Sequence, residues 1–187
     1  MFQFIRLVLY VFPLPGSVRP HEPSIEVDPI RVKKGDPAGE QLAKALDPNL
    51  VHRRLDRGEI CFAAVHEGNI VSYCWMAQGK IGIEEINLAV STLPDEVYLY
   101  DAFTLAPWRG KGIYPVVLRE MLLYAGLNDF SRALIFVAAD NTPSRRGVLK
   151  AGFLEFQVVT YLSILGIPFY RYSEPLHEQR RPVFKPL

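Results

Sequence analysis

The chain has 187 residues, of which 49% are hydrophobic, and 21 basic residues nearly balance 20 acidic ones to give a net charge of +1. This length supports one sizeable core but is too short for two ordinary domains and a linker. A charge so close to zero excludes the basic footprint of a DNA- or RNA-binding protein, so we expect no nucleic-acid partner.

Cysteine and histidine usage argues against disulfide and metal frameworks. The sequence has 2 cysteines, far fewer than a disulfide-stapled secreted domain needs, and this favours a reducing cytoplasm. Its 4 histidines are scattered without the spacing of a zinc site. We therefore expect a cytoplasmic protein without a bound metal.

The N-terminal part is apolar at first and then rich in proline. Residues 2–12 are too few to span a bilayer and precede no signal-peptide cleavage site, so they predict a buried strand or a contact in a homodimer. Within the proline-rich stretch only residues 25–32 have the pattern of a strand. We interpret residues 1–38 as an extended arm or strand packed on a domain of residues 39–173. Residues 174–187 are expected to form a C-terminal tail that is draped over the surface or poorly ordered.

The first half of the domain predicts two short helices and a hairpin. Residues 39–57 have helical periodicity that is interrupted at Asp47-Pro48. Strands at 60–65 and 70–76 flank a turn in which Gly68 supplies a positive φ. A two-residue turn would place Cys61 opposite Cys74, whereas a bulge would shift the register and leave two cysteines packed as hydrophobes. The following residues are interpreted as an acidic loop.

The second half predicts alternating strands and helices. Residues 97–105 form an apolar central strand interrupted by one charge, Asp101, and residues 112–127 form an amphipathic helix with Pro115 in its first turn. Further segments are a strand at 132–139, a helix at 144–151, a strand at 153–164 and a last strand at 168–173.

A loop with two glycines and two cations separates the central strand from the long helix. It reads Arg109-Gly110-Lys111-Gly112, and glycines before a helix N-terminus let backbone N–H groups approach a phosphate. The Walker pattern G-x-x-x-x-G-K-[ST] and the dinucleotide pattern G-x-G-x-x-G both fail to match. Alone, such a loop could also be a surface turn before a helix.

The order of these motifs resembles that of the GNAT N-acetyltransferases. The loop matches the family's Q/R-x-x-G-x-G/A pattern after strand four, Asn141 matches its polar position after strand five, and Gly152-Phe153 matches its Gly-Phe pair after the last helix. The resemblance covers residues 39–173 and is strongest over 97–153.

The resemblance implies an α/β (α+β) fold with a central mixed, twisted sheet splayed between strands four and five and helices on both faces. It also implies an acetyl group transferred from acetyl-CoA to a primary amine, by direct attack in a ternary complex. The acceptor is a small molecule or a protein amine. The coenzyme-binding residues it implies are Phe103, Thr104, Leu105, Arg109, Gly110, Lys111, Gly112, Ile113, Tyr114 and Asn141.

Two positions depart from the family pattern. Tyr114 stands where the loop usually ends in Gly or Ala, and Val148 stands where the family often has the tyrosine that protonates the departing thiolate. Either Ser144 or Tyr161 replaces this acid, or the thiolate leaves unaided, or the protein binds acyl-CoA without turning it over. Transfer of a longer acyl chain is a further alternative.

Acidic residues are the candidates for accepting the proton of the amine. Asp101 is a candidate base if it is buried with a raised pKa, and otherwise a structural residue. A larger acidic group either borders the acceptor entrance or forms an ordinary solvated loop; it comprises Glu84, Glu85, Asp95 and Glu96. For Arg145 and Arg146, the sequence is compatible both with contact to the coenzyme phosphates and with simple surface exposure.

Overall fold

The computed structural model describes residues 2–14, 16–18, 20–178 and 180–187. Its strands are β1 (Phe2–Pro13), β2 (Asp28–Val32), β3 (Ile60–His66), β4 (Asn69–Ala77), β5 (Lys80–Ile83), β6 (Leu88–Ser91), β7 (Glu96–Thr104), β8 (Arg132–Ala138), β9 (Leu154–Ile164), β10 (Ile167–Tyr172) and β11 (Val183–Pro186). Its helices are α1 (Ala38–Ala45), α2 (Pro48–Asp56), α3 (Ile113–Leu127) and α4 (Thr142–Lys150).

The strands form two sheets. One has eight strands in the order β10-β9-β1-β8-β7-β4-β3-β2, and the other has three in the order β11-β6-β5. In the large sheet only β7 and β8 are parallel, and they pair only where Glu96–Leu99 meets Arg132–Ile135. Because β7 continues to Thr104 without β8, the sheet opens between these two strands. The predicted mixed sheet, splayed between the strands that match the family's strands four and five, is confirmed.

A bulge in β7 lies at the point where the sheet opens. Between Tyr73 and Trp75 of β4 the pairing shifts, so that β7 has one more residue than its neighbour. Asp101 lies in this extra stretch with a φ of 47°. Bulges bend a strand and increase its twist, which turns the end of β7 away from β8.

The N-terminal strand lies inside the large sheet. β1 pairs antiparallel with β8 on one side and with β9 on the other. Its residues Leu7 to Phe12 are buried, while Phe2 and Phe4 at its start are exposed. The predicted strand is therefore confirmed, and its buried apolar residues lie within the sheet of the chain itself.

Helices cover both faces of the large sheet, as predicted. The apolar stripe of α3 is buried, from Ile113 to Ala125, and it packs with Val148 of α4 on one face. Leu42 of α1 and Val51 of α2 pack against Trp75 of β4 on the opposite face. The three-stranded sheet covers the rest of that face. No helix in the described ranges is both long and apolar enough to cross a bilayer.

Two loop predictions are wrong. The acidic loop contains β5 and β6, and the C-terminal tail contains β11, which pairs with β6. Ile81 and Ile83 alternate with exposed residues, which is a strand signal, but each strand has only four residues and acidic residues separate them.

The two cysteines follow the bulged alternative. The turn has the predicted two residues, but a bulge after Ala64 places Phe62 opposite Cys74. Cys61 and Cys74 are both buried and unpaired.

Candidate coenzyme and acceptor site

The glycine-rich loop between β7 and α3 presents a row of free backbone donors. Gly110 and Gly112 have φ angles of 78° and 77°, in the left-handed region that favours glycine. The N–H groups of five consecutive residues, from Gly110 to Tyr114, donate to no atom of a described residue. They lie at the N-terminus of α3, where the helix dipole adds positive potential. This arrangement suits an anion.

The N-terminal arm lies against the same loop. The Ser24 N–H donates to the Lys111 carbonyl at 2.9 Å. The Nε2 atom of His21 would be 2.7 Å from a Cβ placed on Gly112, and the Pro23 Cα would be 3.4 Å from it. This Nε2 is buried and has no hydrogen-bond partner among the described residues. Free amides and an orphaned imidazole nitrogen beside a bare glycine fit the phosphates of coenzyme A.

The two cations of the loop contact aromatic rings. The Arg109 Nε donates to the Thr104 carbonyl at 2.9 Å, and its guanidinium lies 5.3 Å from the Phe103 ring centroid. The Lys111 ammonium lies 4.6 Å from the Trp108 ring centroid. Apart from the Arg109 Nε–H, the side-chain N–H groups of these two cations make no hydrogen bond to a described residue, so they are further donors beside the backbone amides.

The other predicted coenzyme residues lie on both sides of the opening. The Phe103 carbonyl accepts the Ser72 hydroxyl at 3.1 Å, and the Leu105 N–H donates to the Val71 carbonyl. Asn141 follows β8, and its side-chain oxygen caps α4 by accepting the Ser144 N–H at 3.1 Å. The structure thus brings the end of β7 and the start of α4 to the two walls of one opening.

Tyr114 occupies the contact between α3 and α4. Val148 is buried in the core and cannot donate a proton. The neighbouring Gly147 makes room for the Tyr114 ring, since a Cβ there would lie 2.6 Å from the tyrosine Cδ1. Burial raises the pKa of Tyr114, and its interaction with the Ser144 hydroxyl offsets that rise only in part. The structure therefore brings one candidate acid, Ser144, together with a phenol.

The other candidate acid lies elsewhere. Tyr161 is on β9 and packs against Tyr170, with 5.4 Å between the ring centroids. Since β1 separates β9 from β8, Tyr161 does not line the opening. It stays a prediction that the geometry does not favour.

A cavity of about 1010 Å³ lies at the opening, on the side of the three-stranded sheet. Its walls come from β1, β7, β8, α2 and the turn after β5, and they combine aromatic, apolar and charged side chains. The lining residues include Phe4, Arg6, Arg54, Glu84, Glu85, Tyr98, Tyr100, Asp101, Phe136 and Asp140. Among the described residues no cluster of three or more His, Cys, Asp or Glu side chains has the arrangement of a metal site.

Asp101 lines this cavity, but its carboxylate is not buried, which was the condition for a base with a raised pKa. Its side chain is 38% exposed and forms an ion pair with Arg54. The Arg54 guanidinium lies between the rings of Trp75 and Tyr100, 5.0 and 4.8 Å from their centroids. The bulge in β7 explains this exposure, because it places Asp101 on the exposed wall of the opening instead of inside the sheet.

The acidic residues divide into two groups. Glu84 and Glu85 line the cavity, as the acceptor-entrance interpretation required. Asp95 and Glu96 do not, because they lie at the start of β7, away from the opening, where they pair with Arg180 at 3.0 and 2.9 Å.

Arg145 is directed away from the glycine-rich loop. Its Nε donates to the Tyr10 hydroxyl at 2.8 Å, and it pairs with Glu155 at 3.1 Å. Arg146 is exposed on α4.

Comparison with known proteins identifies the fold. No protein-family model matches the sequence, and no curated protein matches it. A solved GCN5-related N-acetyltransferase from Sphaerobacter thermophilus is similar in structure, with a TM-score of 0.60 and 15% identity over 87% of this chain and 52% of that protein. A GNAT-family acetyltransferase from Colwellia psychrerythraea has a TM-score of 0.54 and 14% identity over 83% of this chain and 54% of its own.

A third similar structure contains a coenzyme analogue. It is AAC(6′)-Iy in complex with the bisubstrate analogue CoA-S-monomethyl-acetylneamine, with a TM-score of 0.52 and 17% identity over 70% of this chain and 92% of that one. The present chain spans only about half of the Sphaerobacter and Colwellia proteins, 52% and 54% respectively. At such identities the likeness establishes the fold, which is that of the GNAT acetyltransferases.

Two residues of the site were not found from the sequence. Arg54 lies three residues after the buried Val51 on α2, so the helical spacing could have placed it on the inner face. His21 lies in the proline-rich arm, where no periodicity relates a residue to its tertiary neighbours.

Proposed function

We propose that this chain transfers an acetyl group from acetyl-CoA to a primary amine by direct attack in a ternary complex. The observation that carries the proposal is the row of free amides from Gly110 to Tyr114 beside the opening between β7 and β8. A cavity with acidic walls opens at the same place, and it supplies a binding site for a cationic acceptor.

Backbone groups would hold the coenzyme. When bound, acetyl-CoA supplies a thioester that an amine can attack. The amides of the loop bind its pyrophosphate, and the β7 edge from Phe103 to Leu105 orients its acetyl and pantetheine part. Asn141 binds the pantetheine arm with its side-chain amide nitrogen. Orientation of the two reactants accounts for much of the rate, since such complexes avoid the entropy cost of a bimolecular encounter.

Side chains of the opening would handle the protons. The acceptor must lose a proton from its ammonium, and Asp101 or Glu84 receives it directly or through water. Tyr114 is protonated at neutral pH as tyrosines ordinarily are, and with Ser144 beside it we assign it as the proton donor to the departing thiolate. Cys61 and Cys74 are buried thiols whose pKa is raised by burial, so no covalent cysteine intermediate is proposed.

A non-catalytic acyl-CoA binding module is the second candidate. The buried Val148 favours it, because valine has no proton to give to the departing thiolate, which is the role that the family's tyrosine often has at this position.

Amino sugars are suitable first acceptors for a test of turnover, since one structural neighbour is an aminoglycoside N-acetyltransferase. Polyamines, amino acids and protein amines complete the panel of amine acceptors to be tested.

We propose the cytoplasm as the location, because the unpaired Cys61 and Cys74 suit a reducing compartment.

Calorimetric titration with acetyl-CoA tests the proposal. The wild type is expected to bind, and Gly112→Asp is expected to lose binding because it adds a carboxylate to the anion site. Gly35→Asp is the matched control, since Gly35 has a similar φ of 87° and open space around it. Free-thiol release with the amine panel then separates the two candidates: binding without turnover supports the binding module. A folded wild type that does not bind acetyl-CoA contradicts both.

A further inference from the structure

Residues 20–27, which precede β2, lie against the glycine-rich loop. β1 lies between β8 and β9, whereas β2 lies at the far edge of the same sheet. His21, Pro23 and Ser24 meet the loop at the N-terminus of α3. There the Ser24 N–H and hydroxyl both donate to the Lys111 carbonyl, at 2.9 and 3.4 Å.

This attachment places one side chain of the arm in direct contact with the loop. The His21 ring rests on the bare Cα of Gly112, with Nε2 only 2.7 Å from the position that a Cβ would take. Any side chain at residue 112 would displace the imidazole or the arm.

The buried nitrogen of this imidazole has no partner. A polar atom removed from water without a hydrogen bond is costly, and such atoms in native proteins call for an explanation. The adjacent amides of the loop belong mostly to exposed or half-buried residues, and they too donate to no described residue. In the tautomer that carries its proton on Nε2, the imidazole joins the loop amides as a donor beside Gly112, and an anion would satisfy these donors together.

We infer that His21 is a further binding residue of the coenzyme site, donating a hydrogen bond from Nε2 to the pyrophosphate that the loop amides hold. This inference rests on the proposed function. It assigns the arm a direct part in coenzyme binding and explains why Gly112 must lack a side chain: the glycine admits the imidazole as well as the phosphate.

Binding of three ligands to His21→Ala tests the assignment. Coenzyme A and dephospho-coenzyme A both carry the pyrophosphate, whereas pantetheine carries no phosphate. Loss of a hydrogen bond to a charged group should weaken the first two by about tenfold and to the same extent. Pantetheine binding should not change. His52→Ala, on the exposed side of α2, is the matched control and should bind all three ligands as the wild type does.

A second measurement uses the unaltered chain. Inorganic pyrophosphate added to the ¹⁵N-labelled protein should shift the Nε2 resonance of His21 and leave that of His52 in place. This readout decides the matter even if the alanine variant folds poorly.

Each outcome is decisive. Unchanged or tighter coenzyme A binding in His21→Ala, with a normal wild type, overturns the inference alone, and tighter binding would indicate that the arm occludes the site. A loss confined to coenzyme A would assign His21 to the 3′-phosphate and overturn it as well. Absence of coenzyme A binding by the wild type overturns the inference together with the proposed function.

Discussion

Alanine substitutions at the two loop glycines should differ in cost because only one of them contacts the arm. Gly110 and Gly112 have nearly equal φ angles of 78° and 77°. A Cβ on Gly110 would meet nothing within 4 Å, whereas one on Gly112 would meet His21 and Pro23. The pair therefore separates the backbone cost of a left-handed alanine from the cost of the contact.

The backbone term is the same at both positions, about 1–2 kcal/mol for a non-glycine residue in the left-handed region. Gly112→Ala adds the displacement of the His21 ring or of the arm. Overpacking costs about 1–3 kcal/mol, and we expect the lower end, about 1 kcal/mol, because the closest atom is the tip of a side chain. Gly112→Ala should therefore lower the free energy of unfolding by about 1 kcal/mol more than Gly110→Ala.

Urea unfolding followed by far-UV circular dichroism measures this difference, provided that the slopes of the transitions agree. In a background of His21→Ala the difference between the two glycine variants should largely disappear, since the clashing ring is gone. Equal losses at Gly110 and Gly112 in the wild-type background would refute the placement of the arm on the loop.

Two further predictions concern packing and buried charge. Gly147→Ala should destabilise the protein by about 1–3 kcal/mol because its Cβ would clash with the Tyr114 ring. In a Tyr114→Ala background, which has its own cost, this further loss should largely disappear; additive effects in unfolding experiments would contradict the contact. Glu96→Ala should cost about 3–5 kcal/mol, because it leaves the buried guanidinium of Arg132 without its carboxylate. Glu174→Ala, which removes an exposed ion pair, is the control and should cost less than about 1 kcal/mol; similar midpoints for the two variants would show that the Glu96 pair contributes little.

The sequence alone was sufficient for the elements whose signals are local. The stripe of α3, the strand β7 and the glycine loop between them depend on residues a few positions apart, and all were predicted near their observed bounds. Turn chemistry likewise predicted the two-residue turn at Glu67 and Gly68, both of which have positive φ. The splayed sheet, by contrast, was predicted only through the resemblance of the motif order to the GNAT N-acetyltransferases.

Only the tertiary structure decided which distant segments meet. The apolar pattern of β1 indicates burial but does not specify its neighbours, so its insertion between β8 and β9 could not be read from it. The contact of His21 with Gly112, the pairing of Asp101 with Arg54 and the packing of Tyr114 on Gly147 all follow from such long-range choices. Periodicity and turn preference act over a few residues, whereas strand partners and the path of an arm depend on how the whole chain buries its apolar surface.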